Sequence, residues 1–525
     1  MRFAHRQLKG TWKVWIGIGL LGFSGFQTSA SADEWGEAVG LMRESRVLEG
    51  QGKHFSAARY AFAASQVDAS YTAESDAQIA VSLIHAHLEN AASYFFIRTL
   101  QSGNKTAIRK VLTESQALLD AVGVDLLRDY LIRHTQYSDY DEVNRSAYLY
   151  ALAKEAVLNQ QESKAIEYVN GMSKASPLWP YGLEIRGTAA AVMGKNAAAV
   201  DDFKLCQSQS SMLAKEEAFD LKNRCLAGQA RTLYQMDQFD ESDQVYDLIA
   251  KSSFSWPEIL FEQAWVSFAR GEYNRTLGKL VSYKSPALKF LFNSEVDVLR
   301  AQAYLALCLY DDANKVIQEF VNRYTPVGLE IKTFVEKNAS NIDTFYETGK
   351  ASQMAYLHEA KGMGRVLNRF TRSPYFQGLV RSERAVQKEQ QAAEFFAKNA
   401  PGGGAAPGKG FVGFLDQILS WRLKSIRHLG GAYVKNSLID HHQVILSDFD
   451  KMSFIKLEML KLAKEELMRS SQSSMATEER GRGNMVPQRR DYQYYWAFNG
   501  EFWNDELGDY IFGLESRCKA NGGEK

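Results

Sequence analysis

Five lines of sequence, LNQQESKAIEYV (158–169), VMGKNAAAVDDFKLC (192–206), YQMDQFDESDQVYDL (234–248), FARGEYNRTLGKL (268–280) and LCLYDDANKVIQEF (307–320), decide the fold. Each reads as a helix end, a short polar turn and the opening of a second helix. The interval between them is nearly constant. Ala165 and Ala199 stand 34 residues apart, Phe239 and Tyr273 again 34, and Tyr310 follows 37 later. A fixed period of this size is the signature of stacked supersecondary units, none of which can bury its apolar face alone. The 43-residue step from Asn196 to Phe239 predicts an insertion near 207–222.

The pattern resembles the tetratricopeptide repeat. Ala199 and Phe203 match its second-helix A-x3-F, Gly187 holds the small first-helix position, and Pro177 falls where a unit ends. Ser242 and Thr276 depart from the second-helix Ala. A weaker copy, GQGKHFSAARYAF, carries Gly52, Phe55, Ala58 and Phe62. The resemblance implies a right-handed superhelix of helical hairpins, and the residues that follow it extend this all-α reading to a long helical hairpin and an aromatic C-terminal tail. It also implies that first-helix residues line a concave groove for protein partners. Position by position this nominates Tyr150, Lys154, Glu184, Arg231, Tyr234, Phe261, Trp265, Phe268, Val298 and Gln302. Aromatic and Arg anchors suit a peptide or partner helix. The competing reading packs Phe261, Trp265 and Phe268 against the next repeat or the C-terminal segment.

Lys plus Arg equals Asp plus Glu at 62 each, so the charge balance points to no nucleic-acid partner. Arg2, Arg6, Lys9 and Lys13 precede an apolar run from Val14 to Phe26 and the small-x-small site Ala30-Ser31-Ala32. This reads as a secretory signal peptide over 1–32, cut after Ala32. The run is short of the ~20 residues of a membrane span. Export to a periplasm, with no transmembrane span in the mature chain, is the expectation. An oxidising compartment would allow three pairings of Cys206, Cys225, Cys308 and Cys518. A helical insertion would set Cys225 roughly 18 Å off Cys206, too far for a disulfide.

Residues 33–145 read as helical pairs around the weak repeat, 146–327 as the array, and 328–398 as a helical segment broken near Ser373-Pro374. NAPGGGAAPGKG over 399–410 reads as a linker. Its Gly403, Gly408 and Lys409 imitate a phosphate loop, but Gly410 stands where a magnesium-binding Ser or Thr is needed. Apolar steps of three and four from 411 to 470 give one long amphipathic helix, or two meeting at Gly430-Gly431, folded antiparallel on the preceding helix. His85 and His87, and the adjacent His441 and His442, lie on diverging helix faces, so no metal, nucleotide or organic cofactor is implied.

A flexible 471–490 leads to YQYYWAFNGEFWNDELGDYIFGLESRC (492–518), too apolar to stay in water. Trp496, Phe498, Phe502 and Trp503 are expected to dock, as a cap on the chain or on another envelope component. Asn499-Gly500 is a hairpin-turn signal. Phe498, Gly500, Glu501, Trp503, Asp505, Glu506, Leu507 and Gly508 resemble a C-terminal segment of periplasmic tetratricopeptide proteins from gliding and predatory bacteria. Together these features predict a non-enzymatic envelope scaffold whose groove binds envelope proteins. The alternative is a peptidoglycan-contacting or remodelling protein, since Glu44-Ser45 and Glu515-Ser516 imitate the catalytic Glu-Ser of lytic transglycosylases without the rest of that motif.

Overall fold

The computed structural model describes residues 32–288, 291–354, 360–399, 407–408, 410–470 and 496–518. The expected signal peptide, most of the glycine linker with its phosphate-loop imitation, and the 471–490 connection lie outside them. The expected all-α architecture is what the chain adopts. Helical pairs follow one another as α1 (Ala32–Gly50) with α2 (His54–Val67), α3 (Thr72–His85) with α4 (Glu89–Gln101), and α8 (Arg145–Leu158) with α9 (Glu162–Asn170). The next are α10 (Trp179–Val192) with α11 (Asn196–Gln209), α12 (Lys215–Gln235) with α13 (Phe239–Asp247), α14 (Trp256–Ala269) with α15 (Tyr273–Val281), and α16 (Glu295–Ala306) with α17 (Tyr310–Lys337). Three short helices, α5 (Lys105–Leu112), α6 (Ser115–Val122) and α7 (Val124–His134), fill the step between α4 and α8.

One turn makes all of these pairs. The first helix ends in a left-handed residue, which is Gly52, His87, Gln160, Gly194, Asp237, Gly271 and Cys308 in turn. The next residue's N–H bonds back to the carbonyl five positions earlier, from Lys53 to Leu48 (2.9 Å), Leu88 to Leu83 (2.9 Å) and likewise through Leu309 to Tyr304 (2.9 Å). This is a Schellman closure, which satisfies carbonyls the helix end would otherwise leave unpaired. The residue that closes it is also the cap of the second helix, so the chain reverses within three residues. Packing then needs small side chains. Phe203, buried in α11, lies against Gly187 and Gly228, and a Cβ at Gly228 would meet its ring at 2.5 Å.

The structure alters several expectations. Cys206 and Cys225 are disulfide-bonded, with Cα atoms 6.3 Å apart. The inserted residues are shared between the end of α11, a 3-10 turn at Ser210–Met212 and the start of α12. The two cysteines therefore sit at similar heights above the turn, and the expected offset cancels. Helix α17 does not stop at Val327 but runs through Pro326 to Lys337. The glycine pair at 430–431 is no break either.

After the array come α18 (Ile342–Met354), α19 (Met363–Thr371), α20 (Pro374–Asn399) and α21 (Phe411–Ser470). At 60 residues α21 is about 90 Å long. Gln390 with Asp416 and Glu383 with Arg427 show that α20 and α21 run antiparallel. The two halves of α21 pack on helical pairs far apart in the array. Phe411, Leu415 and Ile418 share a core with α2 to α4, and the Phe62 ring of α2 packs tilted against Phe411 at 5.1 Å. Val434, Leu438, Ile445 and Met452 share another with α16 to α19. The long hairpin is a brace laid across the array, not a free appendage.

Buried acids pin the brace. Glu389 of α20 accepts from the N–H of Asn90 (2.9 Å) and Ala91 (3.0 Å) and from Asn90 Nδ2 (2.7 Å), capping the first turn of α4. Glu383 accepts from Lys350, Arg427 and Tyr346, and Asp448 from Ser294 and Lys451. Burial pushes the Glu389 carboxyl up from 4.5 to about 7, and the backbone donors only partly offset it. Between these values the folded chain holds a proton that the unfolded chain has lost. Glu389 therefore contributes a loss of stability as pH rises from about 4.5 to about 7. Asp76, also pushed to about 7 by burial, adds a share of the same sign. Glu389→Gln removes the ionisation and leaves one N–H of α4 unsatisfied. It should flatten the pH dependence of the denaturation midpoint in that window, while lowering stability by about 1–3 kcal/mol at its acid end. Urea titrations across the window measure both.

Candidate interaction surface

The first helices of successive pairs, α8, α10, α12, α14 and α16, carry the nominated groove residues, and ion pairs link one pair to the next. Lys154 Nζ lies 3.1 Å from Asp125 of α7. Arg224 of α12 makes a two-pronged contact with Glu184 of α10 at 2.8 and 2.9 Å. Arg231 of α12 does the same with Glu262 of α14 at 2.8 and 2.7 Å, and Tyr246 donates to Glu262 at 2.9 Å. Burial, with the Glu262 charge, holds the Tyr246 hydroxyl well above its ordinary value, so Tyr246 remains a donor. Tyr150 and Tyr181 lie beside this ladder with ring centroids 6.4 Å apart, and Tyr234 packs on Phe239 at 5.3 Å. Half-exposed ion pairs of this kind contribute only about 0–1 kcal/mol each. They set the register between pairs, yet a partner's charges can replace them at small cost.

The second half of the nominated set is consumed by the fold. Phe261 is buried with Leu280, Val296 and Leu299, with Trp265 and Phe268 half-buried against the same cluster. Phe268 also shares a cluster with Phe512 and Leu514 of the tail. These aromatics join α14 to its neighbours, as the competing reading had it. Val298 is a correction. It is 3% exposed inside the core that α21 covers, and offers nothing to a partner. Gln302 is half-buried in α16, with its Oε1 buried and without a hydrogen-bond partner among the described residues. The accessible candidates are thus Tyr150, Lys154, Glu184, Arg231 and Tyr234, on α8 to α12.

The C-terminal segment docks on its own chain. Its strands β1 (Trp496–Ala497) and β2 (Tyr510–Ile511) pair in parallel, so Asn499-Gly500 is no two-residue hairpin. A parallel pair needs a crossover, and residues 498–509 supply it while packing on α14. Leu507 and Tyr510 are buried with Leu260, Val281 and Leu288. Lys251 Nζ holds the carbonyls of Asp505 and Leu507 at 3.0 and 3.1 Å. Asn274 exchanges hydrogen bonds with Phe512 and Leu514, and Cys518 is disulfide-bonded to Cys308. Phe498 and Phe502 face Tyr510, at 5.4 and 6.0 Å, whereas Trp496 and Trp503 are 48% and 58% exposed. Beside the tail, Trp256, Leu288, Leu291, Leu507, Asn368 and Arg372 line an open cleft of about 380 Å³.

One further surface escaped the sequence reading. Leu446, Phe454, Leu457 and Leu460 stand exposed along the distal half of α21. The apolar period of 411–470 was assigned to a single face. An apolar content higher than one face requires was the available signal. Glu44 and Glu515 are exposed, and Ser45 Oγ donates to Ala57 O at 2.7 Å, so its hydroxyl serves the α1–α2 packing. His441 is half-buried between Phe370 and Phe292, and desolvation there lowers its imidazole to about 4, which keeps it neutral packing material.

No protein-family model matches the chain, and no curated protein matches it. Among solved structures it is similar to the TPR domain of P58(IPK), at 13% identity over 74% of this chain and 99% of that chain, with a TM-score of 0.19. A score this low does not superpose two folds, and the pairing of helices here stands on the chain's own turns and contacts.

The tail's contact with α15 is tight at one residue. The Tyr510 carbonyl passes where a Gly278 side chain would begin, a built Cβ falling 1.9 Å from its oxygen. Gly278→Ala should undock the tail at a cost of about 1–3 kcal/mol. In a Cys308→Ser background, which removes the tether, proteolysis within 496–518 should accelerate while the helical circular dichroism is unchanged.

Proposed function

We propose that the chain is a non-enzymatic scaffold that binds protein partners through the face of α8 to α12. The observation that carries this is the ladder from Lys154 through Glu184 and Arg224 to Arg231 and Glu262, both signs of charge half-exposed on consecutive helical pairs. Such a face suits an extended or helical polypeptide of mixed charge, because stacked units present one repeated surface along their length. A cell-envelope setting after export is the finer reading. It is supported by the basic, apolar and small-residue order of residues 1–32 and by the pairing of all four cysteines, which suits an oxidising compartment. A motility complex as the machine served rests on the tail's sequence resemblance alone. Among the described residues no helix is long and apolar enough to cross a membrane.

A second reading, peptidoglycan contact, is favoured by the exposure of Trp496 and Trp503, aromatic side chains of the kind on which sugar rings stack. The two readings separate experimentally. A photoreactive residue at Lys154 should capture one defined envelope protein in cells, and Arg231→Glu should abolish that adduct. Peptidoglycan pull-down that is lost in Trp496→Ala/Trp503→Ala, with no adduct at Lys154, would favour the second reading instead. Clearing of a peptidoglycan zymogram by the purified chain would overturn the non-enzymatic assignment.

A further inference from the structure

Two imidazoles and a carboxylate meet where the first two helical pairs join. Glu49 is in the last turn of α1, His54 opens α2 and His85 ends α3. The Nδ1 atoms of His54 and His85 lie 2.8 and 2.6 Å from the same oxygen, Glu49 Oε1, and the two rings meet edge to face at 5.2 Å. All three donor atoms lie within 4.8 Å of one another. One carboxylate oxygen facing two ring nitrogens needs a hydrogen on each of them, which the Nδ1–H tautomer supplies, or a cation between them.

The surroundings are built as the outer partners of a metal site are. Ser82 Oγ donates to the other Glu49 oxygen at 2.5 Å, and Gln78 Nε2 in turn donates to Ser82 Oγ at 3.0 Å. The far nitrogen of His85 looks toward Glu114 Oε1 at 3.6 Å. A ligating histidine characteristically presents its second nitrogen to a carboxylate, which fixes the ring and strengthens it as a donor. Nearby, Arg46 pairs with Glu74, and Lys110 is engaged by Gln78.

We propose that Glu49, His54 and His85 bind a late first-row divalent cation of the Zn²⁺ class. Imidazole and carboxylate donors suit such ions, which sit ~2.0–2.2 Å from each ligand. Binding would require the two rings to turn outward from the Glu49 oxygen, which they approach to 2.8 and 2.6 Å. The ion would cross-link the α1–α2 turn to the end of α3. Sequence spacing hid the site, since its ligands come from three helices and His87, the nearest histidine in sequence, takes no part.

The test uses the full, tag-free chain, stripped with EDTA and titrated with Zn²⁺ by calorimetry and with Co²⁺ by visible absorption. One ion per chain and a rise in melting temperature are expected. Ser82→Ala should weaken binding roughly 10–100-fold, and His85→Asn and Glu49→Gln by more, while His442→Ala leaves it unchanged. Circular dichroism confirms that each variant remains helical. Absence of saturable uptake, or uptake that persists in helical His54→Asn/His85→Asn, would overturn the proposal and reduce the cluster to a hydrogen-bonded tie.

Discussion

A left-handed residue after each first helix is the constraint on which this structure depends. It closes the helix end, places the next cap and reverses the chain in three residues, and it does so seven times among the described residues. Four of the seven positions are not glycine. His87, Gln160, Asp237 and Cys308 each accept a backbone state that costs roughly 1 kcal/mol for an L side chain, which the recovered hydrogen bonds and apolar packing offset. Because every reversal is the same, the pairs stack in one sense and their first helices share a face.

A stack of this kind is held only by nearest neighbours, and this chain adds a long-range restraint. Helix α21 lies on the core of α2 to α4 with one half and on that of α16 to α19 with the other. The ends of the array are thereby coupled through one rigid element. Buried carboxylates at Glu389, Glu383 and Asp448 register the brace against helix starts and cations. The Cys308–Cys518 disulfide fixes the tail to the last of the repeated turns. The nominated groove is divided as a result. Its α14 and α16 portion is packed against neighbouring helices, tail and brace, and its α8 to α12 portion keeps exchangeable charge pairs.

Much of this was legible in residue spacing. Ala165, Ala199, Phe239, Tyr273 and Tyr310 each fall where a second helix begins or packs, and Phe55 and Ala58 mark the first pair correctly. The pair α3–α4 falls outside the periodic series because α5, α6 and α7 intervene before α8 and break the interval. Phe261, Trp265 and Phe268 have the composition of binding anchors, but composition does not say which side of a helix a neighbour will cover.

The sequence by itself determined the all-α class, the pairing interval and the long amphipathic helix. These rest on local periodicity, and each helix's apolar stripe is written within a dozen residues. Tertiary structure alone decided the disulfide pairing, the bracing by α21, the parallel strand pair of the tail and the meeting of Glu49, His54 and His85. Each depends on the height at which separate helices pass one another, and that height is set by turn geometry and packing over distances that residue spacing does not encode.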